Sequence, residues 1–501
     1  MSTRHLDQLL LGIADTQVAA TAGIGHMVVS GLALDSRRVR RGDAFFALRG
    51  THAHGVEFAA GAVQRGAQIV LAEAPQVDVP ALDVPVLWVE NLHEQVGEIA
   101  ARFYGRPAES LRIIGVTGTN GKTSTVQLLA EALTLLGHGT ASIGTLGSGL
   151  HGHLHDGERT TPDAIAVQAL LAQFRDAGAT HVAMEVSSHA LAQGRVIGVD
   201  FEVAAFTNLT RDHLDYHGSM EAYGAAKAKL FAWPGLQHAV INTDDAFGRQ
   251  LATQLAVDVS VLRLTMAGDS DAEVGASDII TAAEGLTFQL HTPWGTRQIH
   301  SPLLGRFNVA NLLTVAACLG ALGETFASIV STLAQLQPVN GRMTRAGGQQ
   351  GLPLVVVDYS HTPDALEQAL TALRAHCAGR LICVFGCGGE RDAGKRPLMG
   401  AIAARLADVA MVTDDNPRGE DGDAIVAQIV AGMPAAPAPI VQRDRAAAIE
   451  QALRQAQIGD VVLIAGKGHE TYQDGAAGKH PFDDLAVAHA LLQRLQREPR
   501  A

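Results

Sequence analysis

The stretch LRIIGVTGTNGKTSTVQLLAEAL, residues 111–133, constrains this 501-residue chain more than any other. An apolar run ends in a glycine-rich turn, and the turn opens directly into a run with leucines at helical spacing. Strand, tight turn and helix in that order form one unit of a parallel sheet, with the helix N-terminus facing whatever the turn cradles. Gly118 and Gly121 let backbone N–H groups approach phosphates, Lys122 can reach the outer ones, and Thr123 can bind Mg²⁺. The spacing G-x-x-x-x-G-K-[ST] is not met, because Val116 stands where its first glycine falls. What stands is the shorter G-x-x-G-K-T over Gly118–Thr123. ATP or GTP is the expected ligand, and the bland reading is a strand-to-helix turn with an incidental lysine.

The same alternation continues to the C-terminus. The runs LPLVVVDYS, RLICVFGC, VAMVTDD, PIVQRD and DVVLIAGKG are separated by helical stretches such as TPDALEQALTALRAHC. Apolar strands interleaved with amphipathic helices predict α/β domains with parallel sheets covered on both faces. Ligands on such sheets bind beyond the carboxyl ends of the strands. So long a chain exceeds one hydrophobic core. Texture divides it into residues 1–91, 92–340 and 341–501.

Composition narrows the partners. A net charge of −13 without a lysine-rich tail argues against non-specific nucleic-acid binding. No apolar run reaches the ~20 residues of a membrane span, and the start carries no signal-peptide pattern. Four cysteines, Cys318, Cys377, Cys383 and Cys387, give neither a disulfide framework nor a paired zinc motif. A cytoplasmic location is expected.

Further motifs follow the phosphate loop. HVAMEVSSHAL puts Glu185 at a strand end, where a carboxylate is a hard ligand for Mg²⁺ or simply faces solvent. His213 follows another strand, and Lys227 and Lys229 compete on one helix; read alone, all three are ordinary polar residues. Arg342 in NGRM reads alone as a surface arginine. The loops GCGGERDAGKRP, DDNPR and GKGHET each lie just past a predicted strand, so one sheet rim can gather Arg391, Asp415, Asn416, Arg418, Gly466 and Glu470. Arginines, an amide and acids together suit a ligand carrying both charges.

The loop TGTNGKTS resembles that of the Mur ligase family and its relatives the folylpolyglutamate synthases, and with the further motifs the resemblance to Mur ligases covers nearly the whole chain. The resemblance implies ATP-dependent amide formation by three α/β domains. These are a small N-terminal uridine-nucleotide-binding domain, a central P-loop ATPase-like parallel-sheet domain and a C-terminal Rossmann-like domain. It places ATP on Gly118, Thr119, Asn120, Gly121, Lys122, Thr123 and Ser124, with Asn311, Arg342 and His361. It gives Asp358 a place at the head of the third domain, and gives Thr123, Glu185, His213 and a carbamylated Lys227 to magnesium. A carbamate would turn a repelling ammonium into an oxygen ligand.

LALDSRRVRRGDAFFALRGTHAHG is similar to the uridine-precursor region of the branch that adds the third residue of the peptidoglycan stem. There Leu34, Ser36, Thr51, His52 and Ala53 fall on contact positions. In the central domain, Arg159, Thr160, Thr161, Ser188, Gln193 and Arg195 match contacts to the muramyl dipeptide. DNPR, residues 415–418 including Pro417, matches the family's diaminopimelate motif, which lysine-adding relatives lack. The implied partners are UDP-MurNAc-L-Ala-D-Glu and meso-diaminopimelate, with ATP and Mg²⁺ as cofactors and a monomer expected. A folylpolyglutamate synthase leaves DNPR and the N-terminal region unaccounted for. A non-enzymatic nucleotide switch would need no second substrate site.

Overall fold

The computed structural model describes residues 3–13, 24–50, 53–78, 81–349, 351–434 and 439–497. Two compact units emerge, one formed by Met1–Leu264 with Ala317–Gly323 and the other by Thr265–Ala316 with Glu324–Ala501.

The first unit holds two sheets. Strands Gly31–Ala33, Asp43–Ala47, Ile69–Glu73 and Val86–Val89 pair in parallel in that order. The helix Leu92–Phe103 packs its Leu92, Val96, Ile99 and Phe103 against them and against Leu6 and Leu9. In the larger sheet, Thr140–Gly144, His181–Glu185, Arg112–Thr117, Phe201–Phe206 and His238–Asn242 lie side by side and parallel. Nearly every residue of these strands is buried, as a sheet covered on both faces requires. The chain enters the sheet at Arg112–Thr117 and later adds strands on both sides of it. The turn after this strand therefore sits where the strand order reverses, which is where such sheets bind ligands.

The second unit contains an antiparallel meander, Val274–Ala282, Gly285–Thr292 and Gly295–Ser301, which sequence reading had not anticipated. Its main sheet runs Thr344–Gly347, Leu354–Asp358, Val461–Ala465, Leu381–Phe385, Val409–Val412, Ile440–Val441, parallel except for the first strand. Helices Pro363–Arg374, Lys395–Leu406 and Gly422–Val430 cover one face, and Arg445–Gln455 with Asp484–Arg497 covers the other. Val461–Ala465 is inserted between two earlier strands, so the loops after Asp358, Phe385, Val412 and Ala465 share one rim. Among the described residues, no helix is long and apolar enough to cross a membrane.

Candidate active site

The phosphate loop is built as expected. Gly118 has φ +146° and Gly121 φ +85°, and Lys122 is the first residue of the helix Lys122–Leu135. A Cβ on Gly118 would collide with Thr207 Oγ1, so only glycine lets this turn close on the neighbouring strand end. The Lys122 Nζ donates to the carbonyls of Gly118 and Thr119 at 2.9 and 2.8 Å, folded back over the loop. Asn208 Oδ1 accepts from the Asn120 N–H at 2.9 Å and steadies the crest of the turn.

Glu185 ends its strand buried, 1% exposed. Its Oε2 accepts from Thr123 Oγ1 at 3.0 Å and from Thr145 Oγ1 at 3.2 Å, and its Oε1 accepts from the Thr145 N–H at 2.8 Å. The carboxylate and the Thr123 hydroxyl form a hard oxygen pair that suits Mg²⁺. Thr145 was missing from the sequence reading, and no local motif marks it. It also meets Thr160 Oγ1 at 3.1 Å, linking the carboxylate to the predicted dipeptide contacts.

The two competing lysines separate clearly. Lys227 is 1% exposed, whereas Lys229, at the end of the same helical segment, is exposed. The Lys227 Nζ donates to Gly118 O at 2.7 Å and lies 4.2 Å from the centre of the Tyr223 ring. Burial, with the nearby charge of Lys122 adding, pushes its amine down to about 6. A neutral amine is what reaction with carbon dioxide requires, so the buried lysine fits the modified ligand role and Lys229 does not. His213 is half-exposed in a left-handed backbone conformation (φ +52°), its ring 4.8 Å from that of His189 and 6.1 Å from that of Tyr223. Among the described residues, no three His, Cys, Asp or Glu side chains are placed to hold a metal, so His213 and Glu185 are not part of such a preassembled set. The oxygens fit magnesium, and Lys227 would join them only once carbamylated.

Around this centre, Thr161 Oγ1 donates to Glu185 O at 2.7 Å, and Arg195 Nη1 donates to Thr161 O at 2.9 Å. Ser188 Oγ meets His217 Nε2 at 2.9 Å, and Gln193 Nε2 donates to Tyr216 OH at 3.0 Å. Arg159 is exposed. In the smaller sheet, Leu34 packs on the N-terminal core and Ser36 opens a short turn, Ser36–Arg38. Ala53 is half-buried, and Thr51 and His52 lie outside the described residues.

The second unit gathers the remaining candidates. Asp358 accepts from the Met343 N–H at 2.8 Å and from Ser360 Oγ, and burial pushes its carboxyl up. The Arg342 guanidinium lies 5.0 Å from the Tyr359 ring centre, and its buried Nε has no hydrogen-bond partner among the described residues. His361 Nδ1 meets Tyr359 O at 2.9 Å, and Asn311, buried, donates to Asn308 Oδ1 at 2.8 Å.

On the rim, the three predicted loops do meet. Asn416 Nδ2 donates to Glu470 Oε2 at 2.8 Å, and Arg418 Nη1 donates to Gly389 O at 2.7 Å. Gly466 has φ +118°, and a Cβ there would collide with Asp415 Oδ2. Arg391 is exposed beside Gly388. Three cations here escaped sequence reading. Arg396, 1% exposed, grips Glu420 with both Nη atoms at 2.6 and 2.8 Å. Arg445 and Asp484 form a fully buried ion pair, and Lys467 reaches Asn416 and Glu470.

A phosphate loop beside a buried carboxylate, with a separate charged rim on a second α/β unit, defines a nucleotide-using enzyme with an additional polar substrate site. Known families agree. Residues 28–104 match the Mur ligase family catalytic domain, 116–319 the Mur ligase middle domain and 341–468 the Mur ligase glutamate ligase domain. A UDP-N-acetylmuramoyl-L-alanyl-D-glutamate--2,6-diaminopimelate ligase of Xanthomonas campestris pv. campestris is 59% identical over 471 residues, covering 93% of this chain and 94% of that protein. A ligase of the same name from Xylella fastidiosa is 53% identical over 472 residues, 94% of this chain and 95% of its own. A solved structure bearing that name is 35% identical, with a TM-score of 0.76 over 99% of this chain and 100% of that one. A Mycobacterium tuberculosis folylpolyglutamate synthase shares the fold at 19% identity, with a TM-score of 0.60 over 81% of this chain and 96% of its own. The chain belongs to the Mur ligase family.

Proposed function

We propose that this chain is the ATP-dependent ligase that joins 2,6-diaminopimelate to UDP-N-acetylmuramoyl-L-alanyl-D-glutamate in peptidoglycan precursor synthesis. The observation that carries this reading is the rim where DNPR meets GKGHE, within a chain 59% identical to a ligase of that name. Arg418 is 24% exposed and spends one N–H on Gly389 O, which leaves guanidinium edge for a carboxylate. Glu470 and Asp415 supply acceptors for an ammonium group. The meso isomer carries both groups at its distal end and suits this pairing of charges.

The reaction requires the D-glutamyl γ-carboxylate to attack the γ-phosphorus of ATP, releasing ADP and forming an acyl phosphate. The amine of diaminopimelate then adds to the acyl carbon and phosphate leaves, so an amide and inorganic phosphate result. Lys122 and the loop N–H groups hold and neutralise phosphate oxygens. Thr123, Glu185 and carbamylated Lys227, with His213, would hold magnesium, which supplies charge neutralisation for phosphoryl transfer. Thr160, Thr161, Ser188, Gln193 and Arg195 orient the dipeptide, while Leu34, Ser36 and Ala53 face the nucleotide end of the precursor. Asn311, Arg342 and His361 keep the nucleotide-side roles that the motif resemblance gives them, and Asp358 its catalytic place at the head of the third domain. A monomer working in the cytoplasm completes the reading.

The test is phosphate release measured with ATP, the uridine dipeptide precursor and either meso-diaminopimelate or L-lysine. Release that needs both precursor and diaminopimelate is expected. Equal turnover with lysine removes the substrate assignment, and release without any amine removes the ligase assignment.

A further inference from the structure

Lys467 is completely buried at the head of the loop after Val461–Ala465, an unusual place for a lysine unless its ammonium is paired. Its Nζ donates to Asn416 Oδ1 at 3.0 Å and to Glu470 Oε2 at 2.9 Å, and lies 5.3 Å from the centre of the Tyr472 ring. Both hydrogen-bond partners belong to the rim assigned to the incoming amine. We propose that Lys467 is a positioning residue that sets the polarity of this rim, so that it takes an amino-acid end bearing both charges in preference to a lone ammonium. The inference rests on the diaminopimelate reading above.

The first argument is directional. An ammonium only donates, so the atom of Asn416 that faces Lys467 must be its carbonyl oxygen. The Asp474 N–H, also a donor only, reaches the same oxygen at 2.9 Å. Asn416 Oδ1 therefore has both acceptor positions filled by protein, and Nδ2 spends one hydrogen on Glu470 Oε2 at 2.8 Å. The amide has only N–H left to offer, which suits a carboxylate and not an ammonium. Glu470 is oriented by the same contacts. Its Oε2 receives Lys467 and Asn416, while Oε1 accepts nothing among the described residues and is left for an ammonium.

The second argument is charge. The charged side chains bonded to or paired with Asn416, Arg418 and Lys467 are of both signs in equal number, Glu470 and Asp474 against Lys467 and Arg418. A balanced rim matches a zwitterionic end. Removing the Lys467 charge leaves one carboxylate in excess, the setting that favours a lysine side chain over the distal end of diaminopimelate.

Lys467→Met, Lys467→Gln and Lys467→Arg test this, with kcat/KM measured for meso-diaminopimelate and for L-lysine at saturating ATP and precursor. Lys467→Met is expected to lose roughly tenfold or more for diaminopimelate, mainly through KM, because a charged hydrogen bond is removed. Lysine use should fall less, and KM for ATP should stay within about twofold. Lys467→Arg should recover part of the preference; Lys467→Gln, which keeps a donor but no charge, should recover less. Thermal unfolding of each variant separates folding loss, and if the methionine variant does not fold, the arginine and glutamine variants decide. An unchanged diaminopimelate-to-lysine ratio in variants that fold overturns the proposal alone. Equal use of both amines by the unmutated protein overturns the diaminopimelate reading and this proposal with it.

Discussion

The Lys227 Nζ donates to the Gly118 carbonyl at 2.7 Å, tying the helix Met220–Ala228 to the turn that opens the phosphate loop. One buried amine thus touches the loop whose chemistry it is proposed to serve. Its depressed basicity follows from that position, since burial penalises the charged form and Lys122 repels it.

Carbon dioxide uptake should therefore be specific to this lysine. Native mass spectrometry in bicarbonate buffer near neutral pH is expected to show the gain of one carbon dioxide, lost in Lys227→Ala and kept in Lys229→Ala. Turnover should fall by about 100-fold or more in the Lys227 variant, as expected when a group stabilising phosphoryl-transfer charge is removed. Equal activity of the two variants would eliminate Lys227 from the site.

The same amine gives a pH dependence of stability. Its folded value is about 6, against about 10.4 for an exposed lysine. Between these values the unfolded chain holds a proton that the folded chain lacks, so stability rises with pH across the window. In bicarbonate-free buffer, urea midpoints of the unmutated protein should gain on those of Lys227→Met between about pH 6 and pH 9. Parallel curves for the two proteins would show that the amine is not titrating there.

The sequence made the phosphate loop and DNPR readable because their chemistry is contiguous. Backbone strain, cation and hydroxyl fall within Gly118–Thr123, and the charges that read a ligand fall within Asp415–Arg418. Lys467 and Arg445 were not readable, although each sits in or near a quoted stretch. Arg445 pairs with Asp484, 39 residues away, and Lys467 acquires meaning only when Asn416 arrives from a different strand. Lys227 and Lys229 differ by burial, which neighbouring helices decide and helical spacing alone does not. The meander over Val274–Ser301 lacks the clean apolar alternation of a covered strand, because much of it is half-buried or exposed.

Thr123→Ala removes one of the donors that fix Glu185 Oε2 and one oxygen of the pair suited to Mg²⁺. Activity at saturating Mg²⁺ should fall, and the Mg²⁺ concentration for half-maximal rate should rise by roughly tenfold, the scale of one charged hydrogen bond. A magnesium titration of phosphate release reads both quantities. A lower rate with an unchanged magnesium midpoint would confine Thr123 to holding the carboxylate.

Arg418→Ala should raise KM for diaminopimelate by about 100-fold, the range for truncating a partner of a charged contact, with KM for ATP unchanged. Arg418→Lys should recover little, because an ammonium cannot match a carboxylate with two parallel N–H bonds. Comparable losses for both substrates would assign Arg418 a folding role, through its Nη1 bond to Gly389 O at 2.7 Å.

Arg445 tests whether the rim depends on what lies beneath it. Its Nε and Nη2 donate to the two carboxylate oxygens of Asp484 at 2.7 Å each, and both side chains are fully buried. Its Nη2 also reaches Ala465 O at 3.1 Å and its Nη1 reaches Asp414 O at 3.3 Å. Those carbonyls end the strand before Lys467 and precede Asp415, so one guanidinium holds together the loops that carry both sides of the rim. Arg445→Met strands a buried aspartate and should cost about 3–5 kcal/mol of stability. Asp484→Leu alone should cost a similar amount, and the double variant should regain much of it, because an apolar pair leaves no uncompensated charge. Urea denaturation of the three variants measures this, and strictly additive losses would deny the pairing. In the double variant the strands would be packed but Asp414 O and Ala465 O would no longer share a donor. KM for diaminopimelate should then stay raised after stability has largely returned.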